Sequence, residues 1–204
     1  MADTSAPEAR SGGYAKGRQR REEILRTALE VLAEVGYRKT SLRAIAREMG
    51  LQPAHVLHYF SSREDLLLHV IQRWGEPSGD ADRTERTPFL QRWLRQVEHN
   101  TTVPGLVHLY TAFAAEAADP GHPAHDYFAS RFLRLRELIA AEVTAGIRSG
   151  ALREDLVPDD VAVSLISLSD GLQLQWLVDP EIDMPARMRD AIDVLRAPAA
   201  TDGS

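Results

Sequence analysis

The chain has 204 residues, is 44% hydrophobic and 26% charged, carries a net charge of −6 and contains no cysteine. That excludes a disulfide framework, a thiolate metal site and a thiol nucleophile, and the length suits either one sizeable core or a small domain fused to a larger one. No stretch approaches the roughly 18 consecutive apolar residues of a bilayer span, and the first residues lack the apolar centre of a signal peptide. A cytoplasmic protein with no membrane partner is therefore expected. Charge is unevenly spread: residues 1–75 hold 12 Lys and Arg against 9 Asp and Glu, a balance of +3, which leaves −9 for the remainder. Any polyanion partner belongs at the N-terminal end.

Residues 1–16 are rich in Ala, Ser and Gly and are predicted to form a disordered tail. A helix follows over residues 17–35, with Ile24, Ala28, Leu32 and Val35 on one stripe and Gly36 suited to end it. Thr40 and Ser41 are N-cap candidates for a second helix, in which Leu42, Ile45, Ala46 and Met49 share a face and Gly50 follows. Pro53 fits the first turn of a very short third helix whose core residues are Val56, Leu57 and Phe60. Either Ser61 with Glu64 or Ser62 with Asp65 forms a capping box opening a helix over 62–75, striped by Leu66, Leu67, Val70, Ile71 and Trp74. Residues 75–84 read as a boundary loop. Only helices are predicted beyond it, at 86–100, 104–118, 123–149, 158–178 and 184–196, with a short disordered tail from 198 to 204. The fold class expected is all-α: a domain over 17–75, then a larger helical domain over 76–197.

The stretch from residue 37 to residue 63 carries the functional signal. Two short helices flank a turn at Gly50, and a polar helix as short as the second cannot form alone because nucleation is costly. Neighbours must hold it while its other face stays free, which is the logic of a helix-turn-helix that enters the DNA major groove. Gln52, Pro53, Ala54, His55 and His58 are the candidates for bases and sugars. Arg38, Lys39, Thr40, Ser41, Arg43, Tyr59 and Arg63 are the candidates for phosphates. His55, His58 and His69 do not have the i, i+4 spacing that favours two metal ligands on a helix, and "HPAHD" at 122–126 reads more simply as a polar helix start. "RQRRE" at 18–22 is either a nucleic-acid patch or a solvated helix start. No catalytic motif is present: there is no GxSxG, no phosphate-cradling glycine loop and no HExxH. No enzyme activity, metal or cofactor is expected.

Gly36-Tyr37, Thr40-Ser41, Leu42-x-x-Ile45-Ala46, Gly50-Leu51, His58-Tyr59-Phe60 and "SSREDLLLHV" resemble the N-terminal domain of the TetR family of bacterial repressors, over residues 18–74. The resemblance implies that Thr40 caps the first motif helix and touches phosphate, that residues 52–58 form the recognition helix, and that Tyr59 and Arg63 lie near the DNA backbone. Gln52 and Leu57 depart from that family's usual Ser or Thr and Tyr. The later sequence, including "TTVPGLVHLYTAFAAEAADPGHPAHDYFASRF" and "DGLQLQWL", is similar to the C-terminal domains of an actinobacterial subgroup of these regulators.

The resemblance also implies that the second domain senses a ligand and dimerises. Its two longest predicted helices carry broad apolar faces, and Phe128, Leu135, Val161, Leu165, Leu168, Gly171 and Leu172 are predicted to form a two-fold, four-helix interface. A mid-helix Gly171 costs about 1 kcal/mol against alanine, so close approach of another backbone is the expectation there. Trp93, Val97, Leu106, Tyr110, Phe113, Glu116, Gln173 and Trp176 are the ligand-pocket candidates, with Asp170 a further polar group. The expected function is a ligand-responsive repressor that binds a palindromic operator as a homodimer and is released by a small-molecule effector, the helix at 62–75 acting as lever. The alternative is a helical small-molecule-binding protein or enzyme without DNA binding.

Overall fold

In the computed structural model the backbone is described for residues 8–74 and 87–198, and side chains for residues 15–73 and 87–198. Among these residues nine α-helices and one 3₁₀ turn make up the regular structure, with a single antiparallel bridge between Leu152 and Arg196 as the one extended pairing. The chain divides into two compact units between Glu76 and Pro77. The predicted boundary loop, residues 75–84, lies outside the described residues, as does the side chain of Trp74.

The first unit comprises α1 (Glu8–Val35), a 3₁₀ turn (Tyr37–Lys39), α2 (Leu42–Glu48), α3 (Pro53–Leu57) and α4 (Arg63–Trp74). α1 packs on α2 and α4, and α2 on α3. Ile24, Ala28 and Leu32 from α1, Ile45 and Ala46 from α2, and Leu66, Leu67, Val70 and Ile71 from α4 close a buried apolar core. Val35, the last residue of the predicted α1 stripe, is instead exposed. Gly36 and Gly50 adopt φ of 75° and 64°, the left-handed conformation that ends a helix at least cost when there is no Cβ. α1 begins at Glu8, well before the predicted residue 17, so the helix overlaps the predicted tail. Gly12 and Gly13 are weak helix formers, but extending an established helix costs far less than nucleating one.

The second unit comprises α5 (Phe89–Asn100), α6 (Pro104–Glu116), α7 (His125–Arg148), α8 (Pro158–Val178) and α9 (Met184–Asp193). Proline stands in the first turn of α6, α8 and α9, where its missing N–H costs nothing, and Asp183 caps α9 by accepting from Ala186 N at 2.9 Å. α7 and α8 form the most extensive helix pair, α9 crosses α8 and α5, and α6 packs on α8. Leu90, Ile139, Val143, Ala162, Leu165 and Leu195 form one buried cluster. α9 stops before the predicted residue 196 because the chain turns out to pair. Arg153 N donates to Leu195 O at 3.0 Å, and Ala197 N donates to Ala151 O at 3.1 Å.

Among the described residues α8 is the one helix long and apolar enough to cross a membrane by length and composition, which the search for unbroken apolar runs did not register. Its apolar residues are interrupted by Ser164, Ser167, Ser169, Asp170 and Gln173. It packs against α6, α7 and α9, the position of a core helix.

Gly146 in α7 is the tightest point of this unit. A Cβ there would lie 2.6 Å from both Cγ and Cδ1 of Leu152, and the Gly146 carbonyl accepts from Ala151 N and Leu152 N. Gly146→Ala gains up to about 1 kcal/mol of helix propensity but overpacks the turn by about 1–3 kcal/mol. A net loss of stability is expected, read as a lower denaturant midpoint.

Candidate nucleic-acid interface

α3 owes its place to two side chains. Val56 is fully buried and Phe60, just beyond the helix, is 1% exposed. The opposite face is open: Gln52, Ala54, His55, Leu57 and His58 are exposed, with Pro53 and Tyr59 partly so. Leu57, predicted as core, is 44% exposed, because it points about 100° around the helix from the buried Val56. An apolar side chain there suits a thymine methyl. Gln52 occupies the N-cap position without a side-chain capping bond, which leaves its amide free. Arg38, Lys39 and Arg43 are exposed on the 3₁₀ turn and on α2, which packs on α3, and are free to meet a phosphate backbone.

Two candidates serve differently from the expectation. Ser41, not Thr40, caps α2: its Oγ accepts from Ala44 N at 3.1 Å. Thr40 is 1% exposed and its hydroxyl donates to the Gly36 carbonyl at 2.8 Å. Arg63, expected at phosphate, is committed inside the unit. Its Nε donates to the Thr40 carbonyl at 2.8 Å and its Nη2 to the Tyr37 carbonyl at 3.1 Å, with the guanidinium 5.1 Å from the Tyr37 ring centre. Of the two capping pairs, Ser62 with Asp65 is the one formed: Ser62 Oγ accepts from Asp65 N at 2.9 Å, and Asp65 Oδ2 accepts from Ser61 N at 2.7 Å.

Arg21 completes the frame and was not foreseen. From α1 its Nη1 donates to the Tyr59 carbonyl at 2.7 Å, while its guanidinium lies 4.3 Å from the Phe60 ring centre. The two arginines thus hold the recognition segment from both sides, one at the end of α3 and one at the loop before α2. Sequence signals for both exist. Arg21 falls on the apolar stripe of Ile24, Ala28 and Leu32, and Arg63 sits in a helix's first turn, where the dipole disfavours a cation.

His69 lies apart from His55 and His58: its Nδ1 is 2.8 Å from the Asp65 carbonyl, and its ring meets Phe60 edge-on at 5.5 Å. His125 Nδ1 is bonded to the Ala117 carbonyl at 2.8 Å and His122 stacks edge-on against Phe113. Among the described residues no group of three or more His, Asp or Glu could hold a metal ion.

Of the pocket candidates in the second unit, Val97, Leu106, Tyr110, Phe113, Gln173 and Trp176 are buried. Trp93 instead packs on the cluster around Ile139 and Leu165, and Glu116 is an exposed residue 3.3 Å from His122. Phe128, Leu165 and Leu172, predicted at a dimer interface, are buried within the single chain, and Val161 packs on the same core cluster. The strongest apolar stripes of α7 and α8 are consumed by the unit's own core, and Leu135, Leu168 and Gly171 lie part-buried at its margin.

A polar cluster sits among these aromatics. Tyr110 on α6 is 4% exposed and hydrogen-bonds both Arg131 of α7 and Asp170 of α8. The Arg131 guanidinium lies 5.4 Å from the Tyr110 ring centre. Burial pushes the Asp170 carboxyl up to about 6, against the lowering pull of Arg131 and Tyr110. Burial likewise pushes the Tyr110 hydroxyl up to about 12, against the pull of Arg131. Arg131 was missed by the sequence reading, although it lies on the α7 stripe between Phe128 and Leu135.

An all-helical chain whose first unit displays an anchored helix-turn-helix beside exposed cations is a DNA-binding regulator. Residues 24–70 match the family model of bacterial regulatory proteins of the tetR family, and residues 100–196 match that of the C-terminal domain of BetI-type transcriptional repressors. The chain belongs to the TetR family of bacterial transcriptional regulators. It is 29% identical over 172 residues to the HTH-type transcriptional regulator PksA of Bacillus subtilis (strain 168), covering 79% of this chain and 80% of that protein. Among solved structures, a TetR-family transcriptional regulator from Rhodococcus sp. is similar at 25% identity and a TM-score of 0.64, over 87% of this chain and 98% of that one. A transcriptional regulator from Saccharomonospora viridis, solved in complex with choline, is similar at 25% identity and a TM-score of 0.68, over 86% and 96% of the two chains.

Two outcomes follow from these sites. Arg63→Ala is expected to lower the melting temperature and DNA affinity together, since it removes the tie to Thr40 and Tyr37. Arg43→Ala is expected to lower affinity and flatten the salt dependence by about 1 in log–log slope at unchanged melting temperature. Melting curves beside mobility shifts at several salt concentrations distinguish the two.

For Asp170, the folded protein retains a proton that the unfolded chain releases, between the ordinary value of 3.8 and about 6. Stability from this group is therefore present at low pH and is lost as pH rises through that window. Asp170→Asn is expected to remove this part of the slope, as measured by denaturant midpoints across the same window.

Proposed function

We propose that the protein is a ligand-responsive transcriptional repressor that binds a palindromic DNA operator as a homodimer and is released by a small-molecule effector bound in its second unit. The observation that carries the reading is the recognition helix: five residues long, anchored by Val56 and Phe60, with its other face exposed, in a unit whose 3₁₀ turn and α2 also expose Arg38, Lys39 and Arg43. Gln52, Pro53, Ala54, His55 and His58 then address bases and sugars. Ser41, Arg38, Lys39, Arg43 and Tyr59 address phosphates. Thr40 and Arg63 hold the frame.

Dimer formation is supported by apolar surface on α7 and α8. Val163, Leu174 and Val178 are 45%, 60% and 83% exposed, and with Ser167 and Gly171 they follow i, i+4, i+8, i+11 and i+15, one stripe of α8. Leu133 and Leu138 are exposed on α7. A Cβ at Gly171 would meet nothing within 4 Å, so nothing in the protomer itself requires a glycine there, and a partner helix would account for it. A two-fold dimer matches two half-sites whose centres are one DNA turn apart, roughly 34–36 Å. Release requires an effector that prefers a conformer with a different separation of the two heads. α4, the last helix of the head, is the element by which the chain carries that change. The buried aromatics and polar groups around Tyr110 are the place for the effector. That the S. viridis regulator was solved in complex with choline supports a small-molecule effector for this chain without fixing its class. Action on bacterial DNA places the protein in the cytoplasm, with DNA and the effector as partners and no catalytic step.

A mobility-shift assay on the gene's own upstream region tests the reading. At physiological salt a fragment from it is expected to bind at least about 10³-fold more tightly than random DNA. Gln52→Ala or His55→Ala should change sequence preference more than salt dependence. A folded dimer that binds no upstream fragment better than random DNA would overturn the reading.

A further inference from the structure

We infer that Tyr110, Arg131, Asp170 and Gln173 form the polar end of an effector site for a neutral, ring-bearing ligand with adjacent hydrogen-bond acceptor and donor, a carboxamide being the simplest case, and that the site excludes quaternary ammonium ions. The inference rests on the reading of the second unit as effector-binding.

Two buried atoms carry it. Arg131 Nε and Gln173 Oε1 have no hydrogen-bond partner, and Gln173 is 5% exposed. Buried polar groups are almost always paired, and each exception calls for an explanation. Arg131 Nε is a donor that lacks an acceptor, and Gln173 Oε1 is an acceptor that lacks a donor. Gln173 stands one turn beyond Asp170, so the two share a face of α8. Asp170 is joined through Tyr110 to Arg131, bringing residues of α6, α7 and α8 together.

Charge selects the ligand class. Arg131 and Asp170 offset one another, so the cluster gains nothing from a net charge on its guest. A carboxamide carries both complementary groups, a carbonyl to accept from Arg131 Nε and an N–H to donate to Gln173 Oε1. Phe113, Phe128 and Trp176 are buried rings on the same three helices, α6, α7 and α8, and offer apolar surface to a ring-bearing ligand. A quaternary ammonium ion needs an aromatic face open to a cation. The face of Tyr110 carries the guanidinium of Arg131, at 5.4 Å, so the ring that belongs to the polar cluster is not open to a second cation.

The test uses the full chain and two probes with the same ring, benzamide and benzyltrimethylammonium chloride, in thermal melts. Benzamide at about ten times its dissociation constant is expected to raise the melting temperature by about 3 °C, and benzyltrimethylammonium to leave it unchanged. Gln173→Leu keeps the volume and removes the orphan acceptor, so the variant should fold at least as stably without probe and should lose the benzamide shift. Arg131→Met should lose it too. An equal shift with benzyltrimethylammonium, no shift with millimolar benzamide (the orphans then being met by water only), or a benzamide shift that survives Gln173→Leu overturns the proposal. DNA binding by the same preparation is a separate readout. Its failure refutes the regulator reading while the probe result stands, and failure of benzamide leaves DNA binding untouched.

Discussion

A five-residue helix has no stability of its own, and the first unit is organised around that constraint. Fixing the backbone of α3 costs more than its one turn of hydrogen bonds returns. The deficit is met from outside, by burial of Val56 and Phe60 and by the Arg21 bond to the Tyr59 carbonyl. The same constraint explains the placement of Arg63, whose bonds to Thr40 and Tyr37 fix the turn on which α2 begins. An arginine bonded in this way has fewer donors left for phosphate. Arg38, Lys39 and Arg43 stay exposed, on the 3₁₀ turn and α2. A phosphate contact made from a rigid element loses little side-chain and backbone freedom on binding.

The same economy runs through the second unit in a different form. α8 is apolar over so wide an arc that it serves two surfaces. One side, with Ala162, Leu165, Leu172 and Trp176, is the unit's own core, and the other, with Val163, Leu174 and Val178, stays exposed. Close packing at Gly146 against Leu152 locks the turn joining α7 to α8, so the two helices present their outer faces as one rigid surface. Rigidity matters for the proposed dimer because any looseness between protomers would spread the separation of the two recognition helices.

Most of the helical fold was legible in the sequence, since a period of 3.6 in Leu, Ile and Val and the Gly and Pro punctuation both report on local structure. What stayed hidden is instructive. The register of the α2 cap, Ser41 rather than Thr40, turns on one hydroxyl's choice between two backbone groups. The faces of α7 and α8 were assigned the wrong way round for Phe128, Leu165 and Leu172, because hydrophobic periodicity marks burial without saying whether the covering surface is the same chain or another. The exposed position of Leu57 follows from which face of α3 meets its neighbours, a tertiary fact that two adjacent apolar residues, about 100° apart, do not settle.

Arg21 and Arg131 were missed for a shared reason. Each is a cation on an otherwise apolar helical stripe, a position where an unpaired charge would be costly. A charge survives there only if other groups meet it. Arg21 is met by the Tyr59 carbonyl and the Phe60 ring, and its site is closed. Arg131 is met by Tyr110 and Asp170 but keeps one buried donor without a partner. The contrast separates a cation that holds the fold from one able to receive a further group. A charge on an apolar stripe is therefore a sequence feature worth following before any ligand is known. In this chain one such charge frames the DNA-reading helix and the other sits where effector chemistry is proposed.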